Sequence, residues 1–167
     1  AVVWLTTKGN ANAGGLSWND AEIAEFGDVG DAFDIESGLT SGTFTKLAGF
    51  SAPADIRAMH YVETNISLGT TGIKFSLEPG DLILTLDTGA GNVELNTHDD
   101  PANPGNNFFA DRKDILVFRP DVAGDYGSGE WFMLLEEGVS NGGTTYNVHA
   151  LTLVERDTTV GDTLLQR

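Results

Sequence analysis

Cysteine is absent from this chain of 167 residues, and basic residues are scarce. Without cysteine the chain has no disulfide, no thiolate metal site and no cysteine nucleophile. Lys and Arg number 9 against 25 Asp and Glu, which gives a formal net charge of −16 at pH 7. Because phosphate is bound mainly by Lys and Arg, this charge argues against nucleic acids and anionic membranes as partners. It favours solubility, or cations held among the carboxylates.

Long apolar runs are also missing. None approaches the roughly 18 residues that a membrane-spanning helix needs, so we expect no membrane insertion. The sequence does not begin with Met, and it opens on AVVWLTT, which is typical of a strand, so we expect no signal peptide in it. We therefore expect a mature or excised piece of something longer. The cysteine-free, acidic composition is common among secreted bacterial proteins.

Four pairs of segments match each other in the same order along the chain, and two of the pairs share one spacing of 92 residues. The pairs are 1–4 with 81–84, 22–26 with 114–118, 41–42 with 128–129, and 56–63 with 148–155. Matches in a constant order indicate an internal repeat. We therefore divide the chain into a first unit (1–79), a second unit (80–160) and the start of a third unit or a terminal strand (161–167).

Each unit contains four candidate strands, which are short, rich in β-branched and aromatic residues, and bounded by Gly, Pro, Asn or Asp. They lie near residues 2–7, 22–26, 43–48, 56–62, 82–87, 114–119, 130–136 and 148–154. No segment shows a long helical period. The prediction is an all-β protein of two tandem four-stranded antiparallel units.

Several predicted strands carry apolar side chains on both faces, so the units need neighbours to cover them. Two propeller-like blades cannot close a propeller, which typically needs four or more. Either the two units pack as a β-sandwich, or copies of the chain stack end to end. We expect residues 161–167 to pair with the first unit of a neighbouring copy. The alternatives are that they fold back onto their own chain or form a disordered stump.

Acidic turns rich in Gly are the best candidates for a metal site. The candidate ligands are Asp28 and Asp31 in GDVGDAFDIE, Asp99 and Asp100 in THDDPAN, Asp111 and Asp114 in ADRKD, and Asp121 and Asp125 in DVAGDYGSGE. Calcium takes six to eight oxygen ligands from such groups, so calcium is the expected cation. None of the turns matches an EF-hand loop. The alternative is that these residues only form turns and cap strand ends.

Catalytic patterns are lacking. The chain has no Gly-x-Ser-x-Gly, no phosphate-binding loop and no dinucleotide fingerprint, so we expect it not to be an enzyme. His60 and His149 do not align between the units, which argues against a zinc site. Trp18 and the pair Phe108-Phe109 each precede an acidic turn. Packing between repeats and stacking on a sugar ring both remain open for them.

The strongest resemblance lies in GDLILTLDT (80–88), DRKDILVFRPDVAGDYGSGEWFMLLE (111–136) and VHALTLVERDTTVGD (148–162). These stretches resemble a repeat module of large bacterial cell-surface and secreted proteins, found beside cadherin-like and RTX-type calcium-binding repeats. The resemblance implies propeller-like blades and an extracellular structural or adhesive role, and it implies no catalytic residue.

The expected function is that of a non-enzymatic, secreted or cell-surface structural protein, either an adhesin module or a subunit of a surface fibre. Its expected partners are further copies of the chain or neighbouring repeats. The alternative is a calcium-dependent module that binds carbohydrate or peptide, and an unrecognised hydrolase comes third.

Overall fold

The computed structural model describes residues 2–28, 41–69, 74–96, 107–136, 147–160 and 162–165. This part of the chain contains strands, turns and irregular backbone but no helix, so the predicted all-β class is confirmed. The strands are β1 (Val2–Leu5), β2 (Ala11–Ala13), β3 (Leu16–Trp18), β4 (Ala24–Asp28), β5 (Gly42–Lys46), β6 (Asp55–Tyr61), β7 (Ile66–Leu68), β8 (Phe75–Leu77), β9 (Leu82–Asp87), β10 (Val93–Asn96), β11 (Asn107–Ala110), β12 (Ile115–Val122), β13 (Asp125–Leu135), β14 (Thr158–Val160) and β15 (Thr163–Leu165).

Two antiparallel sheets form the centre of the protein. One has three strands in the order β1-β4-β5, and the other has four in the order β13-β12-β9-β6. The remaining strands of the described part form the hairpins β2-β3, β7-β8, β10-β11 and β14-β15. The described strands do not close into a propeller.

Strand β6 departs from the predicted grouping. It was predicted as the fourth strand of the first unit, but it pairs with β9 of the second, where Met59 lies opposite Leu84. The described strands thus form one sheet of three and one of four instead of two four-stranded units. The physical reason lies in β9, which is buried from Leu82 to Leu86 on both faces. Such a strand belongs inside a sheet, with a partner on each side.

The last predicted strand, residues 148–154, has irregular backbone. Strands β12 and β6 occupy both edges of β9, so this stretch cannot pair with β9. It packs instead on one face of the four-stranded sheet. There the Thr85 hydroxyl donates to the Val148 carbonyl at 3.3 Å. Leu151 and Leu153 nevertheless pack inward together, as their alternation predicts. We call residues 147–155 the C-terminal segment.

The hairpins β4–β5 and β12–β13 pair in corresponding registers. The opposing pairs are Ala24–Lys46, Phe26–Phe44 and Asp28–Gly42 in the first, and Leu116–Met133, Phe118–Trp131 and Pro120–Gly129 in the second. Residues of β4 and β12 correspond at a spacing of 92, and those of β5 and β13 at a spacing of 87. These are the two spacings found in the sequence.

The match of residues 1–4 with 81–84 is wrong by one position. Val3 lies opposite Phe26, and Leu82 lies opposite Phe118. Because Phe26 corresponds to Phe118, Val3 corresponds to Leu82 at a spacing of 79 instead of 80. A slip of one residue exchanges the two faces of a strand.

Two apolar clusters lie on opposite faces of the four-stranded sheet, since the side chains of β9 alternate between them. Leu84 and Leu86 belong to the first cluster, which includes residues such as Ile23 next to the three-stranded sheet. Ile83 belongs to the second cluster, which is covered by the β7–β8 hairpin and the C-terminal segment. The sheet is therefore covered on both faces within one chain.

The C-terminal hairpin lies where the sequence predicts pairing with a neighbouring copy. In the described part of residues 161–167, Thr163–Leu165 pair instead with Thr158–Val160 of the same chain. Within one chain this segment therefore folds back on residues 158–160. Pairing with a neighbouring copy stays a prediction.

Candidate functional site

The eight predicted metal ligands are only partly described. Asp31, Asp99 and Asp100 lie outside the described residues. Asp28 is the last residue of β4, and its carboxylate lies outside the described side chains. The four predicted ligands that remain all lie around β12 and β13.

Asp111 and Asp114 close the turn that leads into β12. The Asp111 N–H donates to Asp114 Oδ2 at 2.7 Å, and the Lys113 N–H donates to Asp111 Oδ1 at 2.7 Å. The Asp114 N–H donates to the Asp111 carbonyl at 3.3 Å. Both carboxylates therefore accept backbone hydrogen bonds just before the strand begins. This is the turn-forming role that the sequence leaves open beside calcium binding.

The same kind of turn precedes two other strands. Before β4, the Asn19 N–H donates to Glu22 Oε2 and the Ala21 N–H to Asn19 Oδ1, each at 2.9 Å. Before β9, the Glu78 N–H donates to Asp81 Oδ2 at 2.9 Å. In each turn the fourth residue also donates its N–H to the carbonyl of the first. We call residues 19–22, 78–81 and 111–114 the strand-initiating turns.

Replacing Asp114 with Ala should lower the free energy of unfolding by about 1–3 kcal/mol, because the part-buried Asp111 N–H would lose its acceptor. The matched control is Asp121→Ala, an exposed carboxylate, for which we expect a change within about 0.5 kcal/mol. Urea unfolding in excess chelator measures both variants. Equal effects in the two variants, or an Asp114→Ala effect seen only with calcium present, would contradict the turn role.

Asp121 and Asp125 lie beside the turn that joins β12 to β13. Asp125 Oδ1 accepts the Gly127 N–H at 3.0 Å, and Asp121 is exposed. In the described ranges, no group of three or more His, Asp or Glu side chains could hold a metal ion. Calcium binding stays a prediction: chelation should lower the melting temperature, because a cation bound only by the folded state stabilises it.

A recess of about 370 Å³ opens beside this hairpin and is lined by aromatic side chains. Phe118 lies with its ring centroid 5.2 Å from that of Phe50 and 5.1 Å from that of Trp131. These three side chains are at most 6% exposed, so little ring surface remains for a sugar to stack on. The Tyr126 hydroxyl donates to the Gly80 carbonyl at 3.0 Å, and burial raises the pKa of Tyr126 to about 12. The aromatics of this recess belong to the core.

The aromatics that precede the acidic turns divide into buried and exposed residues. Trp18 is buried and stacks on Phe44 with ring centroids 5.9 Å apart. Phe108 packs against the first apolar cluster. Phe109, in β11, is 62% exposed. Packing therefore accounts for Trp18 and Phe108, and Phe109 is the member of this set that is accessible to a ligand.

Opposite charges meet in a cleft of about 340 Å³ at the ends of β6 and β9. The Arg57 guanidinium donates to the Asp87 carboxylate, and its Nη1 lies 3.0 Å from His149 Nε2. The hydrogen bond from Arg57 is the main cause that holds the pKa of Asp87 below its ordinary value. Burial, reinforced by the nearby Asp20 carboxylate, raises the pKa of Asp55. In this cleft the Arg57–Asp87 ion pair joins β6 to β9, and the contact between Arg57 and His149 joins β6 to the C-terminal segment.

Glu155 holds the other end of the C-terminal segment. Its carboxylate accepts the Glu63 N–H at 2.8 Å, the Thr64 N–H at 2.7 Å and the Thr64 hydroxyl at 3.0 Å. His60 Nε2 lies 2.8 Å from Glu155 Oε1. Burial alone would raise the pKa of Glu155, but these hydrogen bonds together outweigh it and lower the pKa. Hydrogen bonds donated to a carboxylate stabilise its charged form.

Segments that the sequence equates are in contact. Arg57 touches His149, and the Glu63 N–H touches Glu155, with a spacing of 92 residues in both cases. The end of β6 and the C-terminal segment therefore run side by side in the same direction. The spacing of 92 residues predicted that β6 and the C-terminal segment are equivalent parts of the repeat. It did not predict that the two segments touch each other.

Replacing Glu155 with Gln should lower the free energy of unfolding by about 1–3 kcal/mol at neutral pH, because an amide NH₂ would face the Thr64 N–H. The wild-type contribution is present above the unfolded pKa of about 4.3 and is lost as the pH falls through the lower folded pKa. The variant should therefore lose less stability than the wild type on acidification. Denaturation at a series of pH values measures both effects, with the exposed Glu63→Gln as control. Parallel pH profiles would contradict this role.

Asp81 is a buried carboxylate that the sequence reasoning missed as a functional residue. It is 1% exposed and accepts hydrogen bonds from Arg119 Nε at 2.8 Å and Nη2 at 2.6 Å. Arg119 also donates to the Ser76 carbonyl and lies over the rings of Phe75 and Phe132. This ion pair joins the turn before β9 to β12. The available signal was an Arg directly after the apolar run from Ile115 to Phe118, which indicates a charge that needs a partner but does not name Asp81.

The chain matches no protein-family model, no curated protein and no solved structure. The described part of the chain contains no helix long and apolar enough to cross a membrane. The contacts above therefore provide the basis for assigning a function.

Proposed function

We propose that this chain is a non-enzymatic structural module of a secreted or cell-surface bacterial protein, either an adhesin module or a fibre subunit, which packs against neighbouring copies or repeats. The observation that carries the proposal is the correspondence between the hairpins β4–β5 and β12–β13, whose registers match at fixed spacings. A unit repeated in one chain is typical of proteins whose modules stack on one another.

The roles of the buried and part-buried carboxylates support a structural function. Asp81 pairs with Arg119, Glu155 accepts backbone hydrogen bonds, and Asp114 closes a turn. Each of these groups is held by donors that stabilise the fold. Asp87, which lines the cleft at the ends of β6 and β9, is held in the same way by the Arg57 guanidinium.

The apolar surface of β1 supports association with neighbours. Val2 is 62% exposed and Val3 is 44% exposed, on a strand at the edge of its sheet. Exposed apolar edge strands are normally covered, because their backbone groups readily pair with another chain. The secreted location rests on the acidic, cysteine-free composition and on the resemblance to surface-protein repeats.

Tandem copies of the chain provide the test. Proteins of one, two and three copies, joined end to end by short flexible linkers, are unfolded in urea. If the chain is a stacking module, the midpoint should rise from one copy to two, because each new interface adds stability. An unchanged midpoint would show independent domains and contradict the proposal.

Carbohydrate or peptide binding is the second candidate, and one observation favours it: the exposed ring of Phe109 in β11. Exposed aromatic rings stack on sugars and on apolar peptide side chains. A glycan array probed with the wild type and with Phe109→Ala, with and without calcium, tests it. Binding that needs both Phe109 and calcium would support this function, and no binding to the array would argue against it.

A further inference from the structure

The three-stranded sheet has an open edge at β1. In the described part of the chain β1 pairs only with β4, so its outer side has no strand partner. The strand sequence, VVWL, contains neither a charged residue nor a proline. Charges and prolines are the usual means by which proteins keep an edge strand from pairing with another chain. This edge lacks both.

The four-stranded sheet shows which kind of strand fits such an edge. Strand β9 corresponds to β1 at a spacing of 79, and it pairs on one side with β12 as β1 pairs with β4. On its other side β9 carries β6, antiparallel, with Ala58 opposite Thr85 and Met59 opposite Leu84. A strand like β6 is therefore the missing partner of β1.

The C-terminal segment is the stretch that corresponds to β6. It matches β6 at a spacing of 92, and it belongs to no strand in the described structure. Leu151 and Leu153 point inward, whereas Ala150 and Thr152 are exposed. The ladder hydrogen bonds of a strand run sideways, perpendicular to its side chains. The segment can therefore stay on its own sheet while its backbone edge pairs with another chain.

We propose that residues 148–153 of a second copy of the chain pair antiparallel with the outer edge of β1 and complete its sheet as a fourth strand. The register of β6 on β9 places Ala150 opposite Thr6 and Leu151 opposite Leu5. The contact joins different surfaces of the two copies, so it continues from copy to copy and forms a linear assembly. This inference rests on the proposed structural function and names the surfaces that the neighbours use.

Two single-cysteine variants test the register, because the chain has no cysteine of its own. Thr6→Cys and Ala150→Cys, which place the thiols on opposing residues, are mixed under mild oxidation at high concentration. Only contact between two copies can link them. The control mixture replaces Thr6→Cys by Thr43→Cys, an exposed position on β5 at the other edge of the same sheet. Intact mass spectrometry separates the mixed disulfide from the two homodimers.

We expect about tenfold more mixed disulfide from Thr6→Cys with Ala150→Cys than from the control mixture, because pairing raises the effective concentration of opposing thiols. Equal yields would overturn the proposal. Preferential linkage of Thr6→Cys to Leu164→Cys would also overturn it, since the C-terminal hairpin would then occupy the edge.

Hydrogen exchange on the unmodified protein gives an independent measurement. Amides of residues 2–7 should exchange more slowly as the protein concentration rises, and those of β5 should not. If exchange at β1 does not depend on concentration, the inference fails. A rise in the urea midpoint of tandem copies without either result would leave the proposed function standing and place the contact between modules elsewhere.

Discussion

Replacing Asp81 with Ala should lower the free energy of unfolding by about 3 kcal/mol, the low end of the loss for a broken buried ion pair, because Arg119 is 23% exposed. Asp81 is almost fully buried, so its removal leaves the Arg119 charge without its two-point partner. The Glu78 N–H loses its acceptor at the same time. Arg119 also donates to the Ser76 carbonyl, so the ion pair helps to hold the β7–β8 hairpin against β12. Urea unfolding followed by circular dichroism measures the loss.

Two further variants separate this ion pair from ordinary surface charge. Glu78 lies 3.3 Å from Arg119 but is 55% exposed, so Glu78→Gln should cost less than about 1 kcal/mol. The double variant Asp81→Leu with Arg119→Met should recover part of the loss, because apolar replacement of both charges is often neutral or better. A double variant that is less stable than Asp81→Ala alone would show that the cost does not come from an unpaired charge.

Gly129→Ala should lower the free energy of unfolding by about 3 kcal/mol, because the added methyl group has no room. A Cβ atom at Gly129 would lie 2.3 Å from the Arg119 carbonyl oxygen and 2.6 Å from the Phe118 ring. The carbonyl belongs to the backbone of the paired strand and cannot turn aside. Strands β12 and β13 would have to separate there, at the edge of the four-stranded sheet. Thermal and urea unfolding of the variant measure the effect.

Gly42 is the corresponding position in the three-stranded sheet, and Gly42→Ala should also lower the free energy of unfolding. A Cβ atom there would lie 2.2 Å from the Phe26 ring and 2.8 Å from the Gly27 carbonyl oxygen. The control is Gly91, whose Cβ would meet nothing closer than the Thr88 carbonyl oxygen at 4.0 Å. Gly91→Ala should change stability by less than about 0.5 kcal/mol. A Gly129→Ala variant as stable as Gly91→Ala would disprove the steric argument.

Local patterns predicted the strands of the two main sheets, but they missed the hairpins β2-β3 and β10-β11 and did not give the strand partners. The run from Leu82 to Leu86 is apolar on both faces, and this placed a buried strand correctly at β9. The pairing of β6 with β9 could not be predicted from the local sequence, because a strand with alternating apolar residues fits the edge of either sheet equally well. Residues 148–154 were predicted as a strand for a similar reason. Their alternation correctly predicts that Leu151 and Leu153 point inward, but it does not determine the backbone conformation, which is irregular.

The candidate site was harder to predict than the fold. Asp111 and Asp114 carry the carboxylates that calcium prefers, but their positions in the turn also let them accept the N–H groups of that turn. Sequence cannot separate these roles, since both need a carboxylate near a bend. The pair Asp81 and Arg119 depends on a contact between residues far apart in the chain, which no local pattern reports.

The position of Glu155 has a mechanical consequence. Its carboxylate accepts hydrogen bonds from Glu63 and Thr64, and the C-terminal hairpin follows it along the chain. Tension applied through that hairpin is therefore carried in part by these hydrogen bonds. Because the hydrogen bonds from Glu63 and Thr64 all end on the one Glu155 carboxylate, we expect them to break together. We therefore expect the force that detaches the C-terminal segment to fall in acid, as the Glu155 carboxylate becomes protonated.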